Sequence, residues 1–232
     1  MVFIQARMSS RRFPGKVLAP FRGQPIIRHV IERVAEALPD LPRVVVTSTD
    51  ASDDPLAAYV TALGNGASGA TSASEASSAT SATSATSATN GGAGASVGLF
   101  RGPLDDVLAR FRMAAEVHPA RWLLRICADS PLLDARVLRA VVDAPREGMD
   151  LVTTTAPRTW PKGHNAELIN AASLAALRDE DLDADDREHV TRVFHRNRDT
   201  YRVVNVESGD PTLAQQELAV DTIDDLHRLE AL

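Results

Sequence analysis

Short β-branched runs alternate with amphipathic helical segments along most of this chain, and that alternation limits the fold more than any other feature. "RVVVTS" (43–48) has the composition of a buried parallel strand. "PIIRHVIERVAEAL" (25–38), just before it, places apolar residues at helical spacing on one face. Further strands are predicted over 2–6, 121–128, 150–155, 201–206 and 218–220, and further helices over 53–63, 104–118, 134–144, 187–197 and 221–232. The pattern predicts an α/β fold with a single doubly wound, mostly parallel sheet flanked by helices.

Residues 66–96 are a different kind of sequence from the rest. They consist almost entirely of Ala, Ser, Thr and Gly, repeat a Ser-Ala-Thr triplet and have a single charge, at Glu75. A segment without large apolar side chains buries too little surface to offset its ordering entropy, which predicts a flexible insertion. A linker between two domains is the alternative, but the 65 residues before it lack a strand-rich core of their own. We therefore predict one domain over 1–232 that this loop interrupts.

The charge balance and the cysteine content exclude several classes of protein. With 232 residues and a formal net charge of −6, the chain lacks the broad basic surface that non-specific nucleic-acid binding needs. Its one cysteine, Cys127, excludes a disulfide framework or a thiolate metal site within one chain and is interpreted as a buried apolar residue. No apolar run approaches the roughly 20 residues of a membrane span, and no signal peptide precedes the first strand. The sequence thus predicts a cytoplasmic protein.

The stretch "IQARMSSRRFPGKVL" (4–18) is cationic within an acidic protein, and we name it the basic loop. Its charges lie within ten residues, at Arg7, Arg11, Arg12 and Lys16. It contains neither GxGxxG nor GxxxxGK[ST], so it is not one of the two common phosphate-binding motifs. Ser9, Ser10 and Gly15 would nevertheless let backbone N–H groups approach phosphate oxygens. A small anionic ligand explains this local cluster, and a solvated surface loop is the alternative.

Two aspartates follow predicted strands at the end of the sheet where the basic loop also lies. Asp129 ends an apolar strand, and Asp221 precedes a helix that Thr222 and Asp225 already cap in a capping-box pattern. Carboxylates at the carboxyl ends of parallel strands converge on one crevice, and beside a phosphate they suit Mg²⁺. A helix N-cap or turn role is the alternative for each aspartate, although Asp134 could provide the cap after Asp129.

Five motifs, read in order, resemble those of one enzyme family. They are "IQARMSSRRFPGKVL", "FRGPLDDVLARF", "RICADSPLLD", "REHVT" and "LAVDTIDDL". Together they resemble the cytidylyltransferase family of CMP-sugar-acid synthetases, especially the spore-coat-polysaccharide-biosynthesis type, over nearly the whole chain apart from the insertion. The resemblance implies a Rossmann-like nucleotidyltransferase fold. It also implies that CTP and Mg²⁺ are used to transfer CMP to an acceptor oxygen, with release of pyrophosphate.

The resemblance further implies roles for individual residues. The catalytic cations would be Arg12 and Lys16, with Lys16 near the α-phosphate. The Mg²⁺ ligands would be Asp129 and Asp221. The nucleotide-binding residues would be Ala6, Arg7, Ser9, Ser10, Gly15, Thr47, Ser48, Arg101 and Gly102, the last four of them beside the base.

One motif departs from the family pattern. Members of this type often read PxGxDxE where this chain has "PKGHNAE" (161–167), so Asn165 stands where an Asp is common. Because an amide cannot replace a carboxylate as a strong metal ligand, we do not assign Asn165 to the metal. The acceptor-side candidates are His164, Asn165, Glu167, Glu188 and His189. For His189, a packing role at the start of a helix is the alternative.

The expected partners are CTP and an anionic small-molecule acceptor, a sugar acid or a phosphate or phosphonate, with no nucleic acid and no membrane. Two other functions stay open. A nucleotide-sugar glycosyltransferase would release a nucleotide, but Asp129-Ser130-Pro131 is not the D-x-D metal motif of such enzymes. A non-catalytic nucleotide-binding protein would bind CTP without turnover. The identity of the acceptor, the preference for CTP over UTP, and assembly as a monomer or a homodimer stay open as well.

Overall fold

The computed structural model describes residues 1–66 and 97–232 of the chain. The predicted insertion at 66–96 lies outside these residues, apart from Gly66 at its start. The strands are β1 (Val2–Gln5), β2 (Pro20–Phe21), β3 (Gln24–Pro25), β4 (Arg43–Ser48), β5 (Gly98–Gly102), β6 (Trp122–Cys127), β7 (Leu151–Thr153), β8 (Glu167–Asn170) and β9 (Val203–Asn205). β2 and β3 form a short antiparallel hairpin, and the other seven strands form one sheet.

The sheet has the order β5-β4-β1-β6-β8-β7-β9 and is mostly parallel, as predicted. β5, β4, β1 and β6 run parallel, β7 and β9 pair in parallel, and β8 runs antiparallel to both of its neighbours. The chain moves outward from β1 through β4 to β5 and then crosses to the other side of β1 for β6. In sheets of this kind, ligands bind beyond the carboxyl ends of the strands at the point where the order reverses.

Helices pack on both faces of the sheet, which confirms the doubly wound α/β prediction. They are α1 (Ile26–Ala37), α2 (Asp54–Gly66), α3 (Val107–Val117), α4 (Ala135–Asp143), α5 (Ala171–Ala175), α6 (Ala184–His189), α7 (Arg192–Arg196) and α8 (Ile223–Glu230). Successive residues of β1 face opposite sides, so Ile4 packs in a core with α1 and α4 while Phe3 packs in a second core with α3 and α7. Among the helices described here, none is long and apolar enough to cross a membrane.

The helix caps follow the sequence signals. Thr222 and Asp225 form a reciprocal capping box at the start of α8, as predicted. Asp134 caps α4 by accepting a hydrogen bond from the backbone N–H of Arg136. Since other residues provide both caps, neither Asp129 nor Asp221 is needed to begin a helix.

Two predicted elements are wrong in detail. The helix predicted over 187–197 is two short helices, α6 and α7, because Val190 between them has φ 54°, a conformation that a β-branched residue rarely adopts. The segment 218–220, predicted to be a strand, is irregular and lies outside the sheet. Its N–H groups at Leu218 and Val220 donate to the carbonyls of Lys162 and Asp129, at 2.6 and 2.8 Å.

Gly163 allows the 161–167 loop to lie close to residues 218–220. Its φ of 102° suits only glycine, and a Cβ built there would lie 2.6 Å from the carbonyl carbon of Leu218. The absence of a side chain therefore allows the 161–167 loop to pack directly against the chain that leads to Asp221. A substitution at Gly163 would push these two segments apart.

Candidate active site

The basic loop folds back on itself at the carboxyl end of β1. Gly15 has the left-handed φ of 74°, and its N–H donates to the carbonyl of Met8 at 2.8 Å. Lys16 begins a single 3-10 turn, Lys16–Leu18, and its side chain is only 11% exposed. The Pro14-Gly15 turn thus directs a lysine inward from a loop that is otherwise at the surface.

The Lys16 ammonium joins the two aspartates that the sequence singles out. Its Nζ lies 2.9 Å from Oδ2 of Asp129 and 3.2 Å from Oδ1 of Asp221, and it donates to the carbonyl of Val220 at 2.7 Å. The second oxygen of Asp221 contacts Arg12 at 2.9 Å and Lys162 at 3.0 Å. We name this group the lysine cluster: Lys16, Asp129, Asp221, Arg12 and Lys162.

The electrostatics of the lysine cluster favour the ionised form of Asp221. Burial alone would raise the pKa of Asp221, but hydrogen bonds and charge from Lys162 and Lys16 outweigh it and lower that pKa below its ordinary value. Both aspartate side chains are partly exposed, at 26% for Asp129 and 18% for Asp221. The cluster therefore contains three cationic side chains and two carboxylates, and both carboxylates are partly open to solvent.

Arg7, just after the end of β1, pairs with a residue of helix α6. Its Nη2 donates to Oε1 of Glu188 at 2.9 Å, which links the end of β1 to helix α6. Ala6, just before it, is buried and donates its N–H to the carbonyl of Val46. Of the two loop serines, Ser9 is exposed, while Ser10 Oγ accepts a hydrogen bond from the N–H of Phe13. Arg7, predicted for nucleotide, and Glu188, predicted for acceptor, are thus paired with each other.

Asp53 is a buried carboxylate that sequence reasoning missed. It accepts hydrogen bonds from the N–H of Met8 at 2.6 Å, from Thr47 Oγ1 at 2.9 Å, and from both the N–H and the hydroxyl of Ser48. The hydroxyls of Thr47 and Ser48 therefore have a partner within the protein. Asp53 ties the basic loop to the end of β4, and the acidic start of "DDPL" was interpreted only as a helix start.

Arg101 and Gly102 are the last two residues of strand β5 and pair with Thr47 and Ser48 of β4, so the turn expected at these two residues is wrong. Arg101 donates from Nε to the carbonyl of Ser48 at 2.7 Å and pairs through Nη2 with Asp54 at 2.6 Å. Gly102 has no room for a side chain, because a Cβ there would lie 3.0 Å from Cγ of the buried Arg110. The predicted nucleotide-binding residues therefore converge on one edge, formed by the carboxyl ends of β1, β4 and β5.

A cavity of about 360 Å³ opens on the other side of β6. Three of the five predicted acceptor-side residues line it, namely Asn165, Glu167 and His189. The other two do not. Buried His164 contacts the carbonyl of Leu132 at 3.0 Å, and Glu188 pairs with Arg7.

Glu167 is the carboxylate of the cavity wall, and it is buried. It pairs with Arg125, accepts from Thr191 Oγ1 at 2.9 and 3.0 Å, and lies 3.1 Å from Nε2 of His195. Burial would raise the pKa of Glu167, but the hydrogen bond from His195 and the charge of Arg125 outweigh it and lower the pKa to about 2. We name Glu167, Arg125, Thr191 and His195 the glutamate cluster. Only its glutamate was among the predicted site residues.

Strand β6 connects the two clusters. Arg125, Cys127 and Asp129 alternate along β6 and its extension, so their side chains share one face of the sheet. Cys127 lies between the clusters and lines the cavity. Its pKa is raised to about 11, chiefly by burial, so it is a thiol and not a thiolate. Because Asp129 is two residues from Cys127, the cavity lies beside the lysine cluster.

Comparison with known proteins identifies the family and the fold. The sequence profile of the cytidylyltransferase family matches residues 1–90 and 79–230. The spore coat polysaccharide biosynthesis protein SpsF of Bacillus subtilis is 27% identical, over 100% of this chain and 85% of its own.

Two solved structures share the fold. A cytidylyltransferase from Leptospira borgpetersenii superposes with a TM-score of 0.78 at 22% identity, over 99% of this chain and 84% of the other. A CMP:2-keto-3-deoxy-manno-octonic acid synthetase complexed with CTP superposes with a TM-score of 0.60 at 16% identity, over 99% and 96%. Because the family profile matches this chain from its first residue to residue 230, the protein belongs to the cytidylyltransferase family and is a nucleotidyltransferase.

Proposed function

We propose that the protein transfers CMP from CTP to an oxygen of an anionic small molecule, a sugar acid or a phosphate or phosphonate, and that it uses Mg²⁺. One observation supports this most strongly. Asp129 and Asp221, 92 residues apart (221 − 129), converge on the same Lys16 nitrogen, beside a loop that supplies further cations. Such an arrangement suits a polyphosphate, which brings its own negative charge and its own metal ligands.

The donor set fits Mg²⁺ bound together with a triphosphate. Asp129 and Asp221 offer hard carboxylate oxygens that already approach one positive charge. Within residues 1–66 and 97–232, no group of three or more His, Cys, Asp or Glu could hold a metal ion. Mg²⁺ is typically bound by one or two carboxylates plus substrate phosphates, so two protein ligands suffice. When bound, the ion would act as a Lewis acid on a phosphate oxygen.

The chemistry needs no nucleophile from the protein. The acceptor oxygen attacks the α-phosphorus and forms the new O–P bond, while the bond to the α–β bridging oxygen breaks and pyrophosphate leaves with that electron pair. The acceptor proton passes to solvent. Arg7 and Arg12 would hold the triphosphate, and Lys16 would stabilise the charge that shifts onto the phosphate oxygens. Positioning in line then supplies much of the rate.

The cavity beside β6 is proposed as the site of the acceptor. Cys127 in its wall is two residues from Asp129 of the lysine cluster, and the wall contains charged and hydrogen-bonding groups. Within the glutamate cluster, Glu167 is ionised, and its carboxylate oxygens accept hydrogen bonds from neighbouring side chains. Its proposed role is to shape the wall, and it is not proposed as a general base.

Pyrophosphate release tests this function. The purified protein with Mg²⁺, CTP and a panel of sugar acids and phosphate esters should release pyrophosphate only when a suitable acceptor is present. Asp221→Asn is the control that should fold and lose the signal. Release of a free nucleotide from a nucleotide sugar would instead identify a glycosyltransferase. CTP binding with no turnover on any acceptor would identify a binding protein.

A further inference from the structure

Three arginines line the cavity, and two of them are paired with carboxylates. Arg125 pairs with Glu167, and Arg192 pairs with Asp183 and Asp186 at 2.8 and 2.9 Å. Arg158 differs from both. In the two described segments, no carboxylate lies within ion-pair distance of its guanidinium.

The one side-chain partner of Arg158 in those segments is a neutral amide. Nη1 of Arg158 donates to Oδ1 of Asn165 at 2.5 Å. An amide oxygen satisfies one N–H group but brings no charge, and a guanidinium in a protein stays protonated. Arg158 is half-buried, and desolvation by burial lowers its pKa although Glu167 nearby opposes this. The cavity therefore contains a cation whose charge has no direct counter-ion in the described chain.

The geometry of the pair suits an oxyanion. Arg158 retains further N–H groups beyond Nη1, and the NH₂ group of Asn165 has no acceptor within the described residues. Guanidinium N–H groups match the two oxygens of a carboxylate or phosphate, and such charge-assisted hydrogen bonds are stronger than neutral ones. An oxyanion in the cavity would also supply the missing counter-charge.

We propose that the Arg158–Asn165 pair binds the oxyanion of the acceptor, and that the amide at position 165 determines this specificity. An aspartate there would have the same shape but would place a carboxylate against Arg158 and neutralise it. Asn165 leaves the guanidinium charge available to the ligand. The identity of the ligand as the acceptor rests on the proposed function, whereas the binding of an oxyanion rests on the residues of the cavity alone.

The test is a titration with inorganic phosphate and, separately, with acetate. The side-chain Nε–H NMR signal of Arg158 is followed, assigned as the signal that Arg158→Lys lacks. In the wild type, at least one probe should shift this signal to saturation, and the stronger probe distinguishes a phosphate site from a carboxylate site. In Asn165→Asp, half-saturation should need about tenfold more of that probe or higher, because a charge-assisted contact is lost. Gln24→Glu, which adds the same charge at an exposed hairpin position, should behave as wild type.

A second variant keeps the proposal testable if Asn165→Asp does not fold. In Arg158→Gln, the side-chain amide signal of Asn165 should no longer respond to either probe. Arg158 signals that move with neither probe, or equal titrations of wild type and Asn165→Asp, would overturn the proposal. Pyrophosphate release is measured on the same samples. A responsive Arg158 without turnover on any acceptor would contradict the proposed function and leave the oxyanion site intact.

Discussion

The lysine cluster and the glutamate cluster lie at opposite ends of one strand face, yet they hold their carboxylates in different ways. Glu167 is 7% exposed, and its partners come from β6 and from the helical segment 189–196. Asp221 is 18% exposed, and two of its partners are surface side chains, Arg12 at 64% and Lys162 at 39%. The first arrangement is fixed by secondary structure. In the second, Arg12 and Lys162 are long surface side chains that can move to another anion, while Lys16 at the centre is only 11% exposed.

The two clusters therefore differ in which of their charges a ligand can use. Opening a buried ion pair leaves an uncompensated charge and costs several kcal/mol, so a ligand is not expected to separate Arg125 from Glu167. The ion pairs of Asp221 with the surface side chains Arg12 and Lys162 contribute about 1 kcal/mol or less to stability. A triphosphate can therefore replace Asp221 as the partner of these two cations at little cost. The lysine cluster is therefore suited to exchange partners, and the glutamate cluster is suited to hold the wall of the cavity.

The largest effect is expected at the centre of the lysine cluster. Lys16→Met keeps most of the apolar stem but removes the charge, and we expect turnover to fall by roughly tenfold to a thousandfold. Lys162→Met is the matched control, because its ammonium also contacts Asp221 but is more exposed, and it should have a smaller effect. Steady-state pyrophosphate release gives both rates. Near-wild-type turnover in a folded Lys16→Met protein would remove Lys16 from the site.

The next effect is on stability and belongs to the glutamate cluster. Glu167→Gln leaves Arg125 buried without its counter-ion, so the free energy of unfolding should fall by about 3 kcal/mol. Asp129→Asn is a matched change at a partly exposed carboxylate, and it should change the free energy of unfolding by less than about 1 kcal/mol. Urea unfolding curves measure both. Equal losses in the two variants would mean that the clusters do not differ as described.

The pH dependence gives a smaller and more specific signal. The pKa of Glu167 is lowered from 4.5 to about 2 in the folded state, so its stabilising contribution is present above pH 4.5 and is lost as the pH falls towards 2. The stability difference between wild type and Glu167→Gln should therefore be constant above about pH 5 and roughly halved by pH 3. Unfolding curves at pH 7, 5 and 3 test this. A difference that does not change with pH would show that Glu167 has an ordinary pKa in the folded protein.

The parts of the site that follow strand ends could be predicted from the sequence. Asp129 follows the end of β6, where side chains at the carboxyl ends of neighbouring strands converge. Asp221 was expected there because 218–220 was predicted as a strand; that segment lies outside the sheet, and its hydrogen bonds to Lys162 and Asp129 bring Asp221 to the same place. Lys16 was predicted from its charge and from the Pro-Gly turn before it. Their convergence on one nitrogen is a finding of the structure, and the roles of these residues remain proposals.

The parts that depend on long-range packing could not be predicted. Asp53 has the sequence context of a helix start, and only the folded chain brings the N–H of Met8 to its carboxylate. Arg158 and His195 are charged or polar residues in ordinary contexts, and the cavity that gives them a role is formed by segments far apart in sequence. The sequence around Val190 gives no indication of its positive φ, because the surrounding structure and not the residue's own propensity fixes that conformation.

Besides the short β2–β3 hairpin, two strands of the seven-stranded sheet were missed, for related reasons. β5 reads "GLFRG", with glycine at both ends and no apolar alternation, and it is a strand because β4 pairs with it at the sheet edge. β8 is only four residues long and follows the polar "PKGHN" stretch. Pairing with β6 and β7 on both sides stabilises it. In both cases the neighbouring strand, and not local propensity, determines the conformation.

The most direct test of the exchangeable lysine cluster is a Mg²⁺ titration of turnover in three variants: Asp129→Asn, Asp221→Asn and the double variant. Both single variants should fold, keep much of their CTP affinity because the basic loop remains, and lose turnover by about a hundredfold or more. The double variant should be little worse than either, as expected for two ligands of one ion. If Asp221→Asn turns over at the wild-type rate at low Mg²⁺, Asp221 is no metal ligand and the account of the lysine cluster is contradicted.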